Sequence, residues 1–90
     1  MSNYCDVLKT TTLDLGEGEQ ARAEKIKIKA TNVEELRFSW RTNNGAKFIP
    51  RPLDLPEEQW VQLFDLAVKD EVLSQEFIKE MIKVLCQGLK

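Results

Sequence analysis

Three pieces of the sequence determine the fold of this chain: Lys25-Ile26-Lys27-Ile28-Lys29, Leu36-Arg37-Phe38-Ser39-Trp40-Arg41 and Lys47-Phe48-Ile49-Pro50-Arg51. In each piece, basic or polar residues alternate with apolar ones. Successive side chains of a β-strand point to opposite faces of the sheet, so alternation predicts one buried face and one solvent-exposed face. The exposed face of these predicted strands is mostly positive, although the whole chain carries a net charge of −2.

The sequence predicts four strands. The first is expected over residues 5–15, where β-branched and apolar residues are frequent. The second is expected over residues 22–30 and the third over residues 35–41, with a glycine-rich loop and a turn as connections. The fourth begins at Lys47 and is expected to be a short edge strand, because proline at position 50 has no backbone donor for a neighbouring strand.

Alternation also predicts which side chains of these strands are buried. The residues expected on the buried face are Ile26, Ile28, Ala30, Leu36, Phe38 and Trp40. The residues expected on the exposed face are Lys25, Lys27, Lys29, Arg37, Ser39 and Arg41. This division places Lys25, Lys27 and Lys29 of the second strand on the same side of the sheet as Arg37 and Arg41 of the third.

The turn between the third and fourth strands contains Asn43-Asn44-Gly45, and two loop lengths are conceivable. A two-residue loop would place Arg41 opposite Phe48, which mixes charged and aromatic side chains on one face. A three-residue loop places Trp40 opposite Phe48 and ends on a glycine, which readily adopts the left-handed conformation needed there. The hydrophobic pattern sets the register of a hairpin, so we expect the three-residue loop.

Two segments after the strands have the spacing of amphipathic helices. The first is expected to begin near Pro56 with a capping box formed by Asp54 and Glu57, and to run to about Lys69. A second could begin at Ser74 and end at Gly88, although a single bent helix is also compatible with the sequence. The apolar residues at helical spacing are Trp60, Leu63, Phe64, Ala67, Phe77, Ile78, Met81, Ile82 and Leu85.

These elements predict an α+β fold, namely a four-stranded antiparallel meander followed by one or two C-terminal helices packed on one face. A length of 90 residues corresponds to one small domain, with the sheet in residues 1–53 and the helices in residues 54–90. A domain of this size has a small stability margin, and dimerisation would add buried surface.

The charges are unevenly distributed along the chain. Residues 1–21 carry a net charge of −3 and residues 53–90 a net charge of −4. Residues 22–52 contain eight basic and three acidic residues, a net charge of +5. A basic middle between acidic ends indicates a localised site for a polyanion.

Several functional classes have no support in the sequence. There is no histidine, no glycine-rich phosphate loop and no nucleophile elbow, so we expect no enzymatic activity. Cys5 and Cys86 lack partners for a metal site, and no cofactor is predicted. No apolar run approaches the roughly 20 residues that span a bilayer. The first six residues do not resemble a signal peptide, so we expect a cytoplasmic protein with reduced cysteines.

The predicted basic face is the candidate site for nucleic acid. With the three-residue loop, Arg41 lies opposite Lys47 and Arg37 opposite Arg51, and such like-charge pairs are unfavourable without an anionic ligand. The alternative is a solvated face whose lysines keep sheet edges apart. The predicted contacts are Lys25, Lys27, Lys29, Arg37, Arg41, Lys47 and Arg51.

The aromatic residues and the last apolar stripe also have two interpretations each. Phe38, Trp40 and Phe48 are expected in the core, because they alternate with the charges, and the alternative is that one of them stacks on unpaired bases. The stripe from Phe77 to Leu85 would either pack on the sheet, form the seam of a dimer or bind in the groove of a partner.

Basic alternating strands and an Asn-Gly hairpin, followed by Pro52-Leu53-Asp54-Leu55-Pro56-Glu57-Glu58-Gln59-Trp60-Val61-Gln62-Leu63, resemble the positive-cofactor-four family of transcriptional coactivators. The resemblance covers residues 25–66. It implies a homodimer whose sheets bind single-stranded or melted DNA, with the seven cations above as contacts and Trp40 as a stacking residue. The chain departs from the family in extending about 20 residues beyond the first helix and in lacking a strongly basic overall charge.

The sequence therefore predicts a small dimeric protein that binds single-stranded nucleic acid and acts in transcription regulation. The alternative is a protein-interaction module, such as a small phage or bacterial inhibitor or adaptor, which docks a protein partner through its last helix.

Overall fold

The computed structural model of the protein describes residues 4–90 and shows an α+β fold. Four strands form one antiparallel sheet in the order β1-β2-β3-β4, and two helices follow. The elements are β1 (Cys5–Gly16), β2 (Glu19–Ile28), β3 (Glu34–Thr42), β4 (Lys47–Ile49), α1 (Glu57–Lys69) and α2 (Gln75–Gln87). The predicted fold class is confirmed, and residues 1–3, which were part of the argument against a signal peptide, lie outside the described residues.

The core lies between one face of the sheet and α1. Ala21 and Ala23 of β2 are fully buried against Leu63 and Ala67 of α1. Because these alanines are small, the helix can lie close to the central strand, and α1 packs on β1 and β2. At the C-terminal end of α1, the Thr11 hydroxyl donates a hydrogen bond to a carboxylate oxygen of Asp70, the residue that caps α1.

Three aromatic rings fill the side of this core nearest β3. Phe38 lies 5.6 Å from Phe64 in a stacked arrangement and 5.7 Å from Trp60 in an edge-to-face arrangement, measured between ring centroids. The prediction that Phe38 belongs to the core is therefore confirmed. Phe48 is an exception to that prediction, because its side chain is half exposed.

The helical segment consists of two helices and not one bent helix. Residue Asp70 ends α1, and Glu71 adopts a positive φ of 59°, which turns the chain away from the helix axis. Val72 and Leu73 are buried in the core, and the Ser74 hydroxyl then accepts a hydrogen bond from the Phe77 amide at 3.2 Å. The predicted N-cap of α2 is thereby confirmed.

The predicted capping box of α1 does not form. Pro56 occupies the N-cap position and no side chain caps the helix. Asp54 lies two residues before that position, which is too far along the chain for its carboxylate to bind the first-turn amides. The Pro56 carbonyl instead accepts hydrogen bonds from the amides of Gln59 and Trp60.

Strand β2 begins earlier than predicted, and its buried face changes along its length. Ala21 and Ala23 face the helices, so the alternation places Lys25 on the same side and Ile26 on the opposite side. Ile26 and Ile28 form a separate small cluster with Cys5. The prediction that these isoleucines lie under the helices is wrong, because α1 covers only the half of β2 that contains the alanines.

The hairpin between β3 and β4 has the register that was assigned to the two-residue loop, so the predicted register of the three-residue loop is wrong. Thr42 pairs with Lys47, Arg41 with Phe48 and Trp40 with Ile49, which leaves four residues, 43–46, in the loop. Asn43, Asn44 and Gly45 all adopt positive φ values, and the Ala46 amide donates a hydrogen bond of 3.1 Å to the Asn43 carbonyl. The prediction that β4 is a short edge strand is confirmed.

Candidate functional site

The predicted basic face is divided between the two sides of the sheet. Residues directly opposite each other in an antiparallel pair share a face. Lys25 pairs with Leu36, which packs against the core, whereas Arg37 pairs with Glu24 on the other side. Lys25 and Lys27 therefore lie on the helix side, and Arg37 and Arg41 lie on the opposite side. The expectation of one continuous cationic face is wrong.

The remaining predicted contacts lie at strand ends and are partly engaged. The Lys29 ammonium lies 3.8 Å from a carboxylate oxygen of Asp6. Lys47 pairs with Thr42 at the start of β4, so the predicted pair with Arg41 does not form. Arg51 follows β4, so it does not face Arg37.

Trp40 is held by neighbouring side chains. Its indole nitrogen donates a hydrogen bond of 2.9 Å to Glu19, and the Arg51 guanidinium lies 5.3 Å from its ring centroid. A ring engaged on its edge and its face is a poor platform for stacking on a base, because both contacts would have to be lost first.

A second set of basic residues, which we call the arginine face, lies on the side of the sheet opposite the helices. It consists of Arg22, Arg37 and Arg41. Arg22 pairs with Ser39, and Arg41 pairs with Gln20, so the arginines occupy neighbouring positions on β2 and β3. Sequence reasoning missed Arg22, because the predicted second strand began at that residue and its face was not assigned. The alternation Ala21-Arg22-Ala23 was the signal that could have assigned it.

Arg37 is neutralised by a buried acid. Both its Nε and one terminal nitrogen donate to the same Glu24 oxygen, at 3.0 and 2.8 Å. The Glu24 residue is only 4% exposed. Burial alone would lower the pKa of Arg37, but the hydrogen bond and charge of Glu24 outweigh burial, so the pKa is raised from its ordinary value.

Arg22 and Arg41 have no comparable partner. Among the described residues, neither forms an ion pair within 4 Å. Arg22 donates only to Gln20 at 3.4 Å, and Arg41 donates only to the Gly45 carbonyl at 3.3 Å. Burial, and then the positive charge of Arg41, lower the pKa of Arg22. Two cations thus lie close together without an anion between them.

Phe48 lies beside the arginine face. It pairs with Arg41, whose guanidinium is 6.0 Å from the Phe48 ring centroid, and the Phe48 residue is 51% exposed. An exposed aromatic ring next to arginines at a sheet edge is a feature of surfaces that bind single-stranded nucleic acid.

A second candidate site is an apolar surface between the helices, which we call the helix groove. It encloses about 150 Å³, and it is lined by Phe64, Val68, Leu73, Phe77, Ile78, Met81, Ile82 and Leu85. Every lining residue is apolar. Ile82 is 54% exposed and Leu85 is 64% exposed, although both are large aliphatic residues.

Helix α2 contributes no fully buried residue to the domain. Phe77 and Ile78 pack partly against the core, but the apolar stripe continues beyond them towards the end of the helix. The sequence predicted this stripe on α2. It did not show that Phe64 and Val68 of α1 form the opposite wall, because that depends on the angle between the two helices.

Metal-ligand clusters and membrane-spanning helices are absent from the described part of the chain. Residues 4–90 contain no cluster of three or more potential metal ligands. None of the helices described combines the length and the apolar character needed to cross a bilayer. A further depression of about 220 Å³ lies between the sheet and α2, and it is lined by Lys25, Glu34, Glu35, Leu36, Ser74 and Phe77.

Comparisons with family models, with curated proteins and with solved structures find no match to this chain. The resemblance to the positive-cofactor-four family therefore stays a prediction. The arginine face and the helix groove are the two candidate functional surfaces of the described residues.

Proposed function

We propose that this protein is a protein-interaction module that docks an amphipathic helix in its helix groove. The observation that carries this proposal is a groove lined by eight apolar residues, of which Ile82 and Leu85 are more than half exposed. Exposed apolar surface of this kind is costly in water and marks binding sites. A groove between two helices suits a third helix with apolar residues at i, i+3, i+4 and i+7.

The accessible surface and the radius of gyration of the chain both support a surface that a partner covers. Its accessible surface is 6675 Å², whereas a compact monomer of 10.4 kDa exposes about 5,400 Å². Its radius of gyration is 14.1 Å, and a compact domain of this length has about 12 Å. The excess area exceeds the roughly 800 Å² that each partner buries in a standard interface.

We propose that a second copy of the chain supplies the docked helix. Each α2 carries the apolar stripe that such a groove binds, so two copies can bury their stripes in a two-fold symmetric contact. This homodimer would leave the arginine faces of both copies accessible, because they lie on the side of the sheet opposite the helices.

Paired substitutions on α2 test this interface. Ile82→Glu places a charge in the groove, whereas Val84→Glu places the same charge on a residue of similar exposure, 59% against 54%, outside the groove lining. We expect light scattering to give twice the monomer mass for the wild type and for Val84→Glu, and the monomer mass for Ile82→Glu. Equal behaviour of the two variants would contradict the groove as the interface.

If the wild type is a monomer, the helix of a different protein would bind in the groove. The test is then a pull-down from nuclease-treated lysate, with truncation at Ser74 as the negative control, because truncation removes α2. A partner that binds the full chain and Val84→Glu, but neither Ile82→Glu nor the truncated chain, would support helix docking. Retention by the truncated chain would exclude it.

A second candidate function is binding of single-stranded nucleic acid by the arginine face. The observation that favours it is the exposed Phe48 ring beside Arg41, with Arg22 on the neighbouring strand. The proposed contacts differ from the predicted set, since the strand lysines lie on the helix side and Arg37 is bound to Glu24. A transcription-related role would depend on this activity.

Fluorescence anisotropy with labelled single-stranded DNA tests this second function. We expect binding that weakens as salt rises, because neutralised phosphates release counterions. Replacing Arg22 and Arg41 together by methionine should abolish it, whereas replacing Lys79 and Lys83 of α2 should leave it unchanged. Binding that survives loss of the two arginines, or no binding at low salt, would exclude the arginine face.

A further inference from the structure

We propose that Arg22, Ser39 and Arg41 form a binding site for a single phosphate-type oxyanion, which we call the oxyanion site. Its ligand is a tetrahedral phosphate group, either free or as a monoester. The site does not depend on the helix groove, which lies on the other side of the sheet, and it does not require a nucleic acid strand.

The geometry brings three hydrogen-bonding groups to one place on the sheet. Arg22 and Ser39 are directly paired across β2 and β3, and Arg41 is two residues further along β3. All three side chains therefore point to the same face. Diagonal neighbours on a sheet are about 7–8 Å apart at Cα, a distance that two arginine side chains easily bridge through a shared anion.

Unsatisfied atoms concentrate at this place. Within residues 4–90, the buried side-chain nitrogen and oxygen atoms without a hydrogen-bond partner are Arg22 Nε, Ser39 Oγ and Arg41 Nε. Ser39 is only 4% exposed. A buried polar atom without a partner costs free energy, so three of them in one cluster call for a ligand that accepts their hydrogen bonds.

The acids near the oxyanion site either bind other groups or are separated from its arginines. Glu24 is bound to Arg37. Asp14 lies in the row of Arg41 but is separated from it by Gln20 of β2, and one of its oxygens accepts a hydrogen bond from the Gly16 amide. No carboxylate of the described residues forms an ion pair with Arg22 or Arg41. The charge of Glu24 partly offsets the lowering of the Arg22 pKa, but Glu24 forms its ion pair with Arg37.

Gly45 holds the hairpin against the oxyanion site. A Cβ atom at this position would lie 2.6 Å from Gln20 Oε1 and 2.9 Å from an Arg22 terminal nitrogen. The Gly45 carbonyl also accepts the hydrogen bond from Arg41. The absence of a side chain at this position therefore leaves room for the Gln20 and Arg22 side chains beside the hairpin.

The donors match a phosphate better than a carboxylate. Two guanidinium groups and one hydroxyl approach from different directions, and a tetrahedral anion presents oxygens in all of them. The lone pairs of a carboxylate lie in one plane, so it fits three donors that are not coplanar less well.

The test is a titration of ¹⁵N-labelled protein with inorganic phosphate, followed through the arginine Nε–H signals at constant ionic strength. We expect saturable shifts of the Arg22 and Arg41 signals, and no saturable shift of the Arg51 signal. Sodium chloride and acetate at the same ionic strength should produce no saturable change. Phosphoserine distinguishes the two sources of the ligand, since tighter binding than inorganic phosphate identifies a monoester.

Matched variants connect the binding to the site. We expect Arg22→Met or Arg41→Met to weaken phosphate binding by about tenfold, as loss of a charge-assisted hydrogen bond does. Lys79→Met, which removes the same charge from α2, should not change it. Ser39→Ala keeps the backbone and both charges, so weaker binding by this variant would show that the hydroxyl is a ligand.

Two glycines provide a control for backbone effects. Gly16 and Gly45 have nearly the same φ, +90° and +93°, but a Cβ atom at Gly16 would meet nothing within 4 Å. Alanine at either position should cost a similar free energy of unfolding, about 1–2 kcal/mol, from the left-handed conformation. Only Gly45→Ala should also weaken phosphate binding, because it displaces Gln20 and Arg22.

The proposal is overturned if phosphate produces no saturable shift, or if Arg22→Met and Lys79→Met bind it equally. Saturable phosphate binding without single-stranded DNA binding would remove the nucleic-acid function and leave the oxyanion site intact. A monomeric protein that binds phosphate would likewise separate this site from the helix groove.

Discussion

Glu24 and Arg37 form the most buried ion pair among the described residues, with the Glu24 side chain 5% exposed and that of Arg37 32% exposed. The raised pKa of Arg37 means that its charged form is more favourable in the folded protein than in the unfolded chain. Its contribution to stability is present at every pH below the unfolded pKa and is lost only at strongly alkaline pH.

Glu24→Gln should destabilise the protein, because it leaves the Arg37 charge without its acid. We expect the free energy of unfolding to fall by about 1–3 kcal/mol, less than for a fully buried pair because Arg37 is partly solvated. Urea denaturation measures this change. The control is Glu80→Gln, which breaks an exposed pair with Lys83 and should change stability by less than about 0.5 kcal/mol. Equal effects would mean that burial of Glu24 contributes nothing.

Arg22 should have the opposite effect on stability. Its pKa is lowered, first by burial and then by Arg41, so its charged form is less favourable in the folded state. The resulting penalty is present throughout the neutral pH range, because it begins to fall only above the lowered pKa and vanishes only above the pKa of the unfolded chain. In phosphate-free buffer we therefore expect Arg22→Met to raise stability, by less than about 1 kcal/mol because solvent screens the charges.

The salt dependence of this stability gain distinguishes repulsion between Arg22 and Arg41 from a change in packing. The gain from Arg22→Met should shrink in 1 M sodium chloride, where the screening length is about 3 Å. Lys79→Met, on exposed α2, should show no gain at either salt concentration. A gain that does not depend on salt would contradict repulsion between Arg22 and Arg41.

Single residues also show where alternation fails as a predictor. Phe38 was correctly placed in the core from its neighbours in sequence. Lys25 and Ile26 were assigned to the wrong faces, because the pattern of β2 changes between Ala23 and Ile26. Such a change depends on how far α1 reaches along the strand, which is a property of tertiary packing.

Among the elements, α2 is held mainly by local interactions. It contributes no fully buried residue, whereas α1 contributes Leu63 and Ala67. Segments with few buried contacts open more readily than the core. We expect backbone amides of α2 to exchange with solvent faster than those of α1 at protein concentrations where the chain is monomeric.

Ser74→Ala should therefore act on α2 alone. Loss of the N-cap hydrogen bond to the Phe77 amide costs about 1 kcal/mol, which corresponds to about fivefold faster exchange of α2 amides. Exchange in α1 should not change. Ser74→Asp retains a capping oxygen and should restore the wild-type rates, so failure of this variant to do so would exclude capping as the cause.

The elements were more predictable than their contacts. Hydrophobic periodicity and Ser74 indicated the helices, alternation indicated β2, β3 and β4, and β-branched residues indicated β1. The register of the β3–β4 hairpin was predicted incorrectly, since Arg41 lies opposite Phe48, as the rejected two-residue Asn-Gly loop would place it. The hydrophobic pattern selected the wrong register because it assumed that Phe48 is buried, whereas its side chain is half exposed.

At the scale of the whole molecule, the predicted charge asymmetry survives but its arrangement does not. The net charge of +5 in residues 22–52 is real, yet the sheet distributes these cations over two faces. The oxyanion site depends on pairs such as Arg22 and Ser39 that are 17 positions apart in the sequence. The sequence therefore predicted the components of a site but not which of them meet.

The long outer strand of the sheet has an edge to which another chain could pair. β1 is 12 residues long and leaves one edge of its backbone unpaired, but its register shifts between Val7 and Lys9. This β-bulge interrupts the surface on which another chain could add as a strand. Deleting Leu8 should remove this bulge, although a second register shift remains between Asp14 and Gly16. We expect the deletion to accelerate fibril growth measured by thioflavin fluorescence, whereas Leu8→Ala, which keeps the extra residue, should not. One additional residue would then be what prevents this strand from acting as a template for amyloid.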